Sequence, residues 1–193
     1  MKIIPETAAS EALIVETLRS GGVIVCPTDT IYGLSCRADD PKAILKIHRF
    51  KGSDPQKPLI LLAADWQMVE KYSLLTSTQK ARAQKLWAQE RPTSLILKQK
   101  KAPAPSLMPS QTTLAWRLPK SPFLLKIIKA LGVPLVSTSL NKTGEPPLKS
   151  LAELSSLTTA ENTPDLLIDA GVLDGQPSRL IDLSEDTEKV IRC

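Results

Sequence analysis

Residues Pro134–Pro147 read PLVSTSLNKTGEPP. The run opens as a short apolar strand, Pro134 to Val136, and passes without a break into Ser137-Thr138-Ser139-Leu140-Asn141. Five hydroxyl or amide side chains fall within seven residues of that strand. Such groups, together with backbone amides, can cradle a phosphate or a ribose. In open α/β sheets, ligands bind where strands give way to polar loops held by a rigid core. The GxxxxGK(S/T) spacing of a P-loop is missing, and the chain has no GxGxxG fingerprint. A nucleotide user built on this segment is therefore of neither P-loop nor Rossmann type.

Outward from this point, helical and strand patterns follow one another. Upstream, Glu6 to Ser20 carries Ala9, Leu13, Val15 and Leu18 at roughly helical spacing, and Gly21-Gly22 ends it. Val23 to Cys26 reads as a buried strand. Asp40-Pro41 is a helix start, a capping carboxylate before a first-turn proline, and that helix runs to about Lys51. Leu59 to Leu62, Ser94 to Leu97 and Thr113 to Leu118 read as strands; Trp66 to Tyr72 and Thr76 to Glu90 read as helices. A helix opened by Ser121-Pro122 closes at Gly132. Leu166 to Ile168, Leu180 to Leu183 and Val190 to Ile191 complete the strands, and Ala102 to Pro109 is a proline-rich loop. Helices and strands that mix without strict alternation predict an α/β or α+β sheet with helices on its faces. With 193 residues and no internal repeat, one domain over 1–193 is expected.

Two further polar clusters follow or precede buried strands. Pro27-Thr28-Asp29-Thr30-Ile31-Tyr32-Gly33-Leu34 sets two threonine hydroxyls and a tyrosine beside a turn. Hydroxyls can donate to an anion and accept from an amine, but the residues alone equally fit a turn that satisfies its own backbone. Arg49 to Leu59 concentrates basic side chains between a helix and a strand. Lysine is a point charge suited to phosphate, and a solvated helix end is the plain alternative.

The rest of the composition narrows the field. The net charge of +5 suits an anionic partner such as ATP or RNA. Cys26, Cys36 and Cys193 form no CxxC pair, and His48 is the single histidine, so no metal site is expected. Unpaired cysteines and the absence of a basic-apolar leader in Met1 to Ile14 point to a cytoplasmic protein. No apolar run approaches the roughly 20 residues needed to cross a membrane. No hydrolytic triad assembles around His48.

Taken in order, these segments resemble the YrdC domain family, of which the TsaC-type synthases are members. PTDTIYGL (27–34) resembles the pattern PT(D/E)TxYGL, and KGSDPQKPLILL (51–62) resembles KxRPxxxPL. WRLP (116–119), PLVSTSLNKTGEPP (134–147) and GQPSRLIDL (175–183) resemble AVRxP, PLVSTSANxSGxPP and GxPSTVVDL. The match runs from about Gly22 to Leu183. Ser53 and Asp54 stand where the pattern has Arg-Pro, Arg179 stands where it has Thr, and Glu90 to Ser94 lacks the glycine of PGPxT.

The resemblance implies a twisted mixed sheet with flanking helices around a basic cavity. It implies an L-threonylcarbamoyladenylate synthase, which joins L-threonine, bicarbonate and ATP into threonylcarbamoyl-AMP with release of pyrophosphate. Magnesium accompanies the ATP. The product serves N6-threonylcarbamoyladenosine formation in tRNA, with transfer by downstream partner proteins. Lys51 is implied as the catalytic cation at the ATP phosphates, with Thr113, Ser139 and Asn141 also in the nucleotide site. Lys57 is expected to stand in for the missing arginine. Thr28, Thr30, Arg117, Ser137 and Ser178 are implied around threonine and bicarbonate, Arg117 at the carboxylate, with Ser94 a weaker carry-over. A module that binds tRNA or double-stranded RNA without synthesis, and a paralogue acting on another carbamate or nucleotide, are the alternatives.

Overall fold

The computed structural model describes residues 2–104, 112–159 and 162–193. Among these the centre is one mixed sheet of eleven strands. In chain order they are β1 (Lys2–Pro5), β2 (Ile24–Cys26), β3 (Gly33–Arg37), β4 (Ile60–Leu62), β5 (Ser73–Leu74), β6 (Thr93–Gln99), β7 (Thr113–Arg117), β8 (Leu135–Ser139), β9 (Leu166–Asp169), β10 (Arg179–Asp182) and β11 (Lys189–Arg192). Across the sheet the order is β1-β9-β2-β3-β8-β4-β7-β6-β10-β11, with β5 added to β6. The pairs β1/β9, β2/β9, β4/β7 and β6/β10 are parallel; the others are antiparallel.

Five helices flank it among the described residues: α1 (Glu11–Arg19), α2 (Pro41–Lys51), α3 (Trp66–Tyr72), α4 (Ser77–Trp87) and α5 (Pro122–Leu131). Their ends follow local chemistry. Asp40 accepts from the backbone N–H groups of Lys42 and Ala43 ahead of Pro41, and Ser121 accepts from Leu124 ahead of Pro122. Gly52 and Gly132 close α2 and α5 at φ of 60° and 70°, a conformation that β-carbons disfavour.

Side chains alternate across each strand, so the sheet buries two cores. On one face, Val25, Leu34, Leu61, Leu95, Trp116 and Val136 pack with Ile44 and Ile47 of α2, Val69 of α3 and Leu86 of α4. On the other, Ile24, Cys26, Leu62, Leu135, Leu166 and Ile168 pack with Ile14 and Leu18 of α1 and Leu124, Ile127 and Ile128 of α5.

Several sequence expectations are corrected. The helix expected over Glu6 to Ser20 is a 3-10 turn at Glu6–Ala8 and then α1, because Ser10 is extended and caps α1 by accepting from Leu13 N–H. Gly33–Arg37, read within and beyond a turn, is a central strand paired to both β2 and β8. The strand expected over Pro134 to Val136 continues to Ser139, so the polar residues belong to the strand itself. The helix over Thr76 to Glu90 stops at Trp87, with Thr76 as its cap. Strand Lys2–Pro5 had no clear signal. Of the proline-rich stretch, residues 105–109 lie outside the described residues.

Candidate functional site

The second sheet face is covered over only part of its length. Leu135 of β8 and its register partner Leu62 of β4 lie under the α1–α5 layer. Two residues further along β8, Ser137 pairs with Ser35 on one side and Ile60 on the other, and Ile60 pairs with Ala115. Ser137, Ile60 and Ala115 of this row, with the Gly33/Ser139 pair, line a cavity of about 540 Å³, and Ser35 lies buried beside them. Gly33 is required here: a Cβ at this position would meet Ser137 Oγ at 2.6 Å and Thr28 Cγ2 at 3.0 Å.

Ten of the eleven residues named for the site from the sequence line this cavity: Thr28, Thr30, Lys51, Lys57, Thr113, Arg117, Ser137, Ser139, Asn141 and Ser178; Ser94 does not. The ten arrive from five separate segments. The expected position beyond a strand end is corrected for Ser137 and Ser139, which lie within β8; Thr113 and Arg117 lie on strand β7, as the sequence predicts.

Lys51, the last residue of α2, reaches the end of β8. Its Nζ donates to Ser139 O at 2.7 Å, Asn141 O at 3.0 Å and Asn141 Oδ1 at 2.6 Å. Asn141 Oδ1 also accepts from Ser139 Oγ at 2.7 Å, and Asn141 Nδ2 donates to Glu145 O at 2.5 Å. Burial, then repulsion from Lys57 and Lys142, pulls the Lys51 ammonium down to a pKa of about 8. Ser53 donates to or accepts from His48 Nδ1 at 2.8 Å, while Lys57 lines the cavity and is exposed. Burial lowers the pKa of His48.

At the other wall, hydroxyls form a directed chain. Arg117 Nη1 donates to Thr30 Oγ1 at 3.2 Å, the Thr30 and Thr28 hydroxyls are 2.8 Å apart, and Thr28 Oγ1 donates to Ile31 O at 2.8 Å. With Thr28 committed to Ile31, Thr30 is the donor of the middle bond. Arg117 is 6% exposed, and its Nη2 lies 3.3 Å from Asp29 Oδ1. That contact is an ion pair without hydrogen-bond geometry: Arg117 Nε and Asp29 Oδ1 are both buried without a hydrogen-bond partner. Burial depresses the guanidinium, Asp29 opposes this, and Arg192 adds to it.

Ser178 Oγ lies 2.8 Å from Ser94 Oγ, which stands behind it, and Ser178 O accepts two bonds from Arg192, at 3.1 and 2.7 Å. Arg192, Asp29 and Ser35 escaped the sequence reading. Arg192 lines the cavity from the exposed strand β11, which folds back antiparallel on β10. Only the pairing brings it there, and no local spacing marks it. Asp29 was quoted within its cluster without a role. Gly175 packs so closely that a Cβ would meet Thr30 O at 1.8 Å, fixing the 171–178 segment against the threonine loop. Arg179 donates instead to Gln89 and Thr93 and does not line the cavity.

The lining holds four cations, Lys51, Lys57, Arg117 and Arg192, and no carboxylate among the described residues. A divalent cation has no protein carboxylate to bind there, so magnesium fits only on the oxygens of a bound triphosphate. Cys26 is no nucleophile, since burial pushes its thiol up to about 12.

Fold and cavity together define a mixed-sheet protein with a pocket lined by hydroxyls and cationic side chains on the open part of one sheet face. The family model described as telomere recombination, Sua5/YciO/YrdC, matches residues 16–193, and the chain belongs to that family. It is 35% identical over 150 residues to the threonylcarbamoyl-AMP synthase of Chromohalobacter salexigens, covering 77% of this chain and 80% of that protein. It is 32% identical over 181 residues to the uncharacterized protein YciO of Escherichia coli, covering 92% of this chain and 85% of the relative. The crystal structure of E. coli YciO superposes with a TM-score of 0.82 at 31% identity, covering 99% of this chain and 93% of YciO. That of P. abyssi Sua5 complexed with L-threonine gives 0.84 at 25% identity; it covers 99% of this chain, which spans 56% of the Sua5 chain. No helix among the described residues is long and apolar enough to cross a membrane.

Proposed function

We propose that the chain is an L-threonylcarbamoyladenylate synthase. The observation that carries this reading is the cavity itself: hydroxyls and four cations from six segments converge on one pocket with no carboxylate lining it among the described residues, in a chain related to threonylcarbamoyl-AMP synthases. The proposed substrates, L-threonine, bicarbonate and ATP, place a carboxylate, a bicarbonate or carbamate, and a triphosphate together, and their mutual repulsion must be offset by cations.

The reaction follows from that placement. The threonine amine nitrogen attacks the bicarbonate carbon, water leaves, and a carbamate forms. A carbamate oxygen then attacks the α-phosphorus of ATP while the bond to pyrophosphate breaks, giving threonylcarbamoyl-AMP. Neither step needs a protein nucleophile, so holding the reactants in line and stabilising charge carry the catalysis. Arg117, with its unpartnered Nε, receives the threonine carboxylate, and Thr30 and Thr28 flank the amine and bicarbonate. Ser137 and Ser178 close that end. Ser139 and Thr113 contact the nucleotide beside Asn141, and Lys51 and Lys57 meet the phosphates. Magnesium, held by the oxygens of ATP, would shield its triphosphate. Transfer to tRNA by other proteins, in the cytoplasm, completes the proposed role.

The test is pyrophosphate release from ATP by the purified protein. Release that requires both L-threonine and bicarbonate supports the reading. Release that ignores threonine rejects it.

A further inference from the structure

Lys51 has three N–H groups, and in the free protein all three are taken. It cannot donate to a phosphate without surrendering one. Two of its acceptors are backbone carbonyls, of Ser139 and Asn141, whose positions are set by β8 and the turn that follows. The third is a side-chain oxygen, Asn141 Oδ1, and a side chain can rotate where a strand cannot.

That oxygen sits in unusual company for a neutral amide. It accepts from an ammonium at 2.6 Å, short for an N–H···O bond and of the kind a charged pair makes, and from the Ser139 hydroxyl at 2.7 Å, so two donors converge on one oxygen. Lys57 and Lys142 add positive potential around it. The amide is held the right way round because Nδ2 donates to Glu145 O. We propose that Asn141 Oδ1 is a built-in stand-in for phosphate: it occupies the position at Lys51 and Ser139 that a phosphate oxygen of ATP takes, and nucleotide binding exchanges one for the other.

This inference rests on the ATP-using reading above and deepens it by giving Asn141 a positioning role in place of direct contact. The physical case is one of matched acceptors. An empty pocket would leave an N–H of a buried ammonium unsatisfied, which is costly. The amide oxygen removes that penalty, and being uncharged it yields to a phosphate oxygen, which binds a cation more strongly. The exchange also releases the Ser139 hydroxyl to the nucleotide. The free protein gains stability, and the nucleotide affinity is set by the strength of the bond it must replace.

Two substitutions separate this from a direct contact. Binding of magnesium-ATP and of inorganic pyrophosphate is measured by calorimetry, and the unfolding midpoint is measured without ligand. Asn141→Ala removes the stand-in: the midpoint should fall, and ATP affinity should hold or rise. Asn141→Asp strengthens it with a charge: the midpoint should rise, and ATP and pyrophosphate should weaken about tenfold or more, the scale of one charge-assisted bond. An Asn141→Ala protein with an unmoved midpoint and tenfold weaker ATP overturns the proposal, since the amide would then touch the nucleotide itself. Should either variant fail to fold, the wild type decides by NMR. ATP must shift the Asn141 side-chain amide and the Lys51 Nζ resonances together, and an unmoved amide overturns the exchange. A wild type that binds neither ATP nor pyrophosphate sinks this proposal together with the reading beneath it. If the wild type binds both and Asn141→Ala loses them, only the stand-in falls.

Discussion

β8 crosses two environments within three residues. Leu135 is buried under α5, while Ser137, on the same side of the same strand, faces the cavity. The covered part of the face is made of Ile24, Cys26, Leu62, Leu135, Leu166 and Ile168. The open part is made of Gly33, Ser137, Ser139, Thr113 and Ala115. The backbone geometry is continuous across the border, since β3, β8 and β4 stay in register through both parts. The difference lies in side chains: large and apolar where a helix packs and, apart from Ile60 and the edge of Leu62, small or hydroxylated where a ligand is to lie. Stability and chemistry are therefore drawn from one surface, and changes on either side of the border should separate them.

The largest expected effects come from exchanging the two characters on β8. Leu135→Ser should cost about 3 kcal/mol or more in unfolding free energy, through a cavity and a buried hydroxyl, while the folded fraction keeps its turnover. Ser137→Leu should do the reverse, filling the pocket and lowering threonine-dependent pyrophosphate release about a hundredfold, because small misplacements of reactants are that costly. Denaturant titration and turnover, measured on both proteins, check the pair; equal losses of stability and activity in each would erase the border.

Next in size is Arg117→Lys. Charge is kept but the planar fork is lost, so apparent threonine affinity should fall about tenfold or more while ATP affinity stays put. Threonine and ATP titrations of initial rate decide it, and an equal loss for ATP would move Arg117 to the phosphate end. Lys57→Ala should weaken pyrophosphate and ATP by about tenfold, the scale of one charge-assisted contact. Ser53→Arg should be neutral or helpful. Calorimetric binding of pyrophosphate reads both, and indifference to Lys57→Ala would remove the compensating cation.

The smallest effect is a divergence with pH. Lys51 titrates near 8 in the folded protein, below its ordinary 10.5. Between those values the unfolded chain binds more protons, so the Lys51 contribution to stability rises as pH increases from 8 to 10.5. Its charge is lost over the same interval, so kcat/KM for ATP should fall as pH passes about 8. Urea titrations and initial rates at matched pH values should move in opposite directions, and Lys51→Met should flatten both.

The composition of the site was legible in the sequence, but its placement on the sheet was not. PTDTIYGL, the lysine-rich loop, WRLP and the serine-rich run are contiguous words, and ten of the eleven residues drawn from the sequence reach one cavity. The sequence placed the polar clusters beyond strand ends because hydroxyls after apolar residues look like loops. The structure bears this out for Thr28 to Tyr32 and for Gly52 to Leu59, but keeps β8 going through its serines, since pairing on both edges satisfies the backbone whatever the side chains are. Gly33 and Ser35 obscured β3 for that reason: small residues weaken a strand's pattern where a ligand needs room. Arg192 reaches Ser178 from fourteen residues away, through a hairpin whose register no local pattern encodes.

The gathering of like charges has a consequence for how the protein keeps its shape. Lys57 and Lys142 press on Lys51, and Arg192 presses on Arg117. Asp29 answers Arg117, but no carboxylate of the described lining answers the lysines, so the empty protein carries an internal electrostatic load around Lys51 that screening relieves. Added salt, which weakens ordinary surface ion pairs, acts on this pocket as a support, and a polyanion that fits it acts as a specific one by mass action. The substrates are in that sense part of the folded structure: they complete a charge pattern that the polypeptide leaves open.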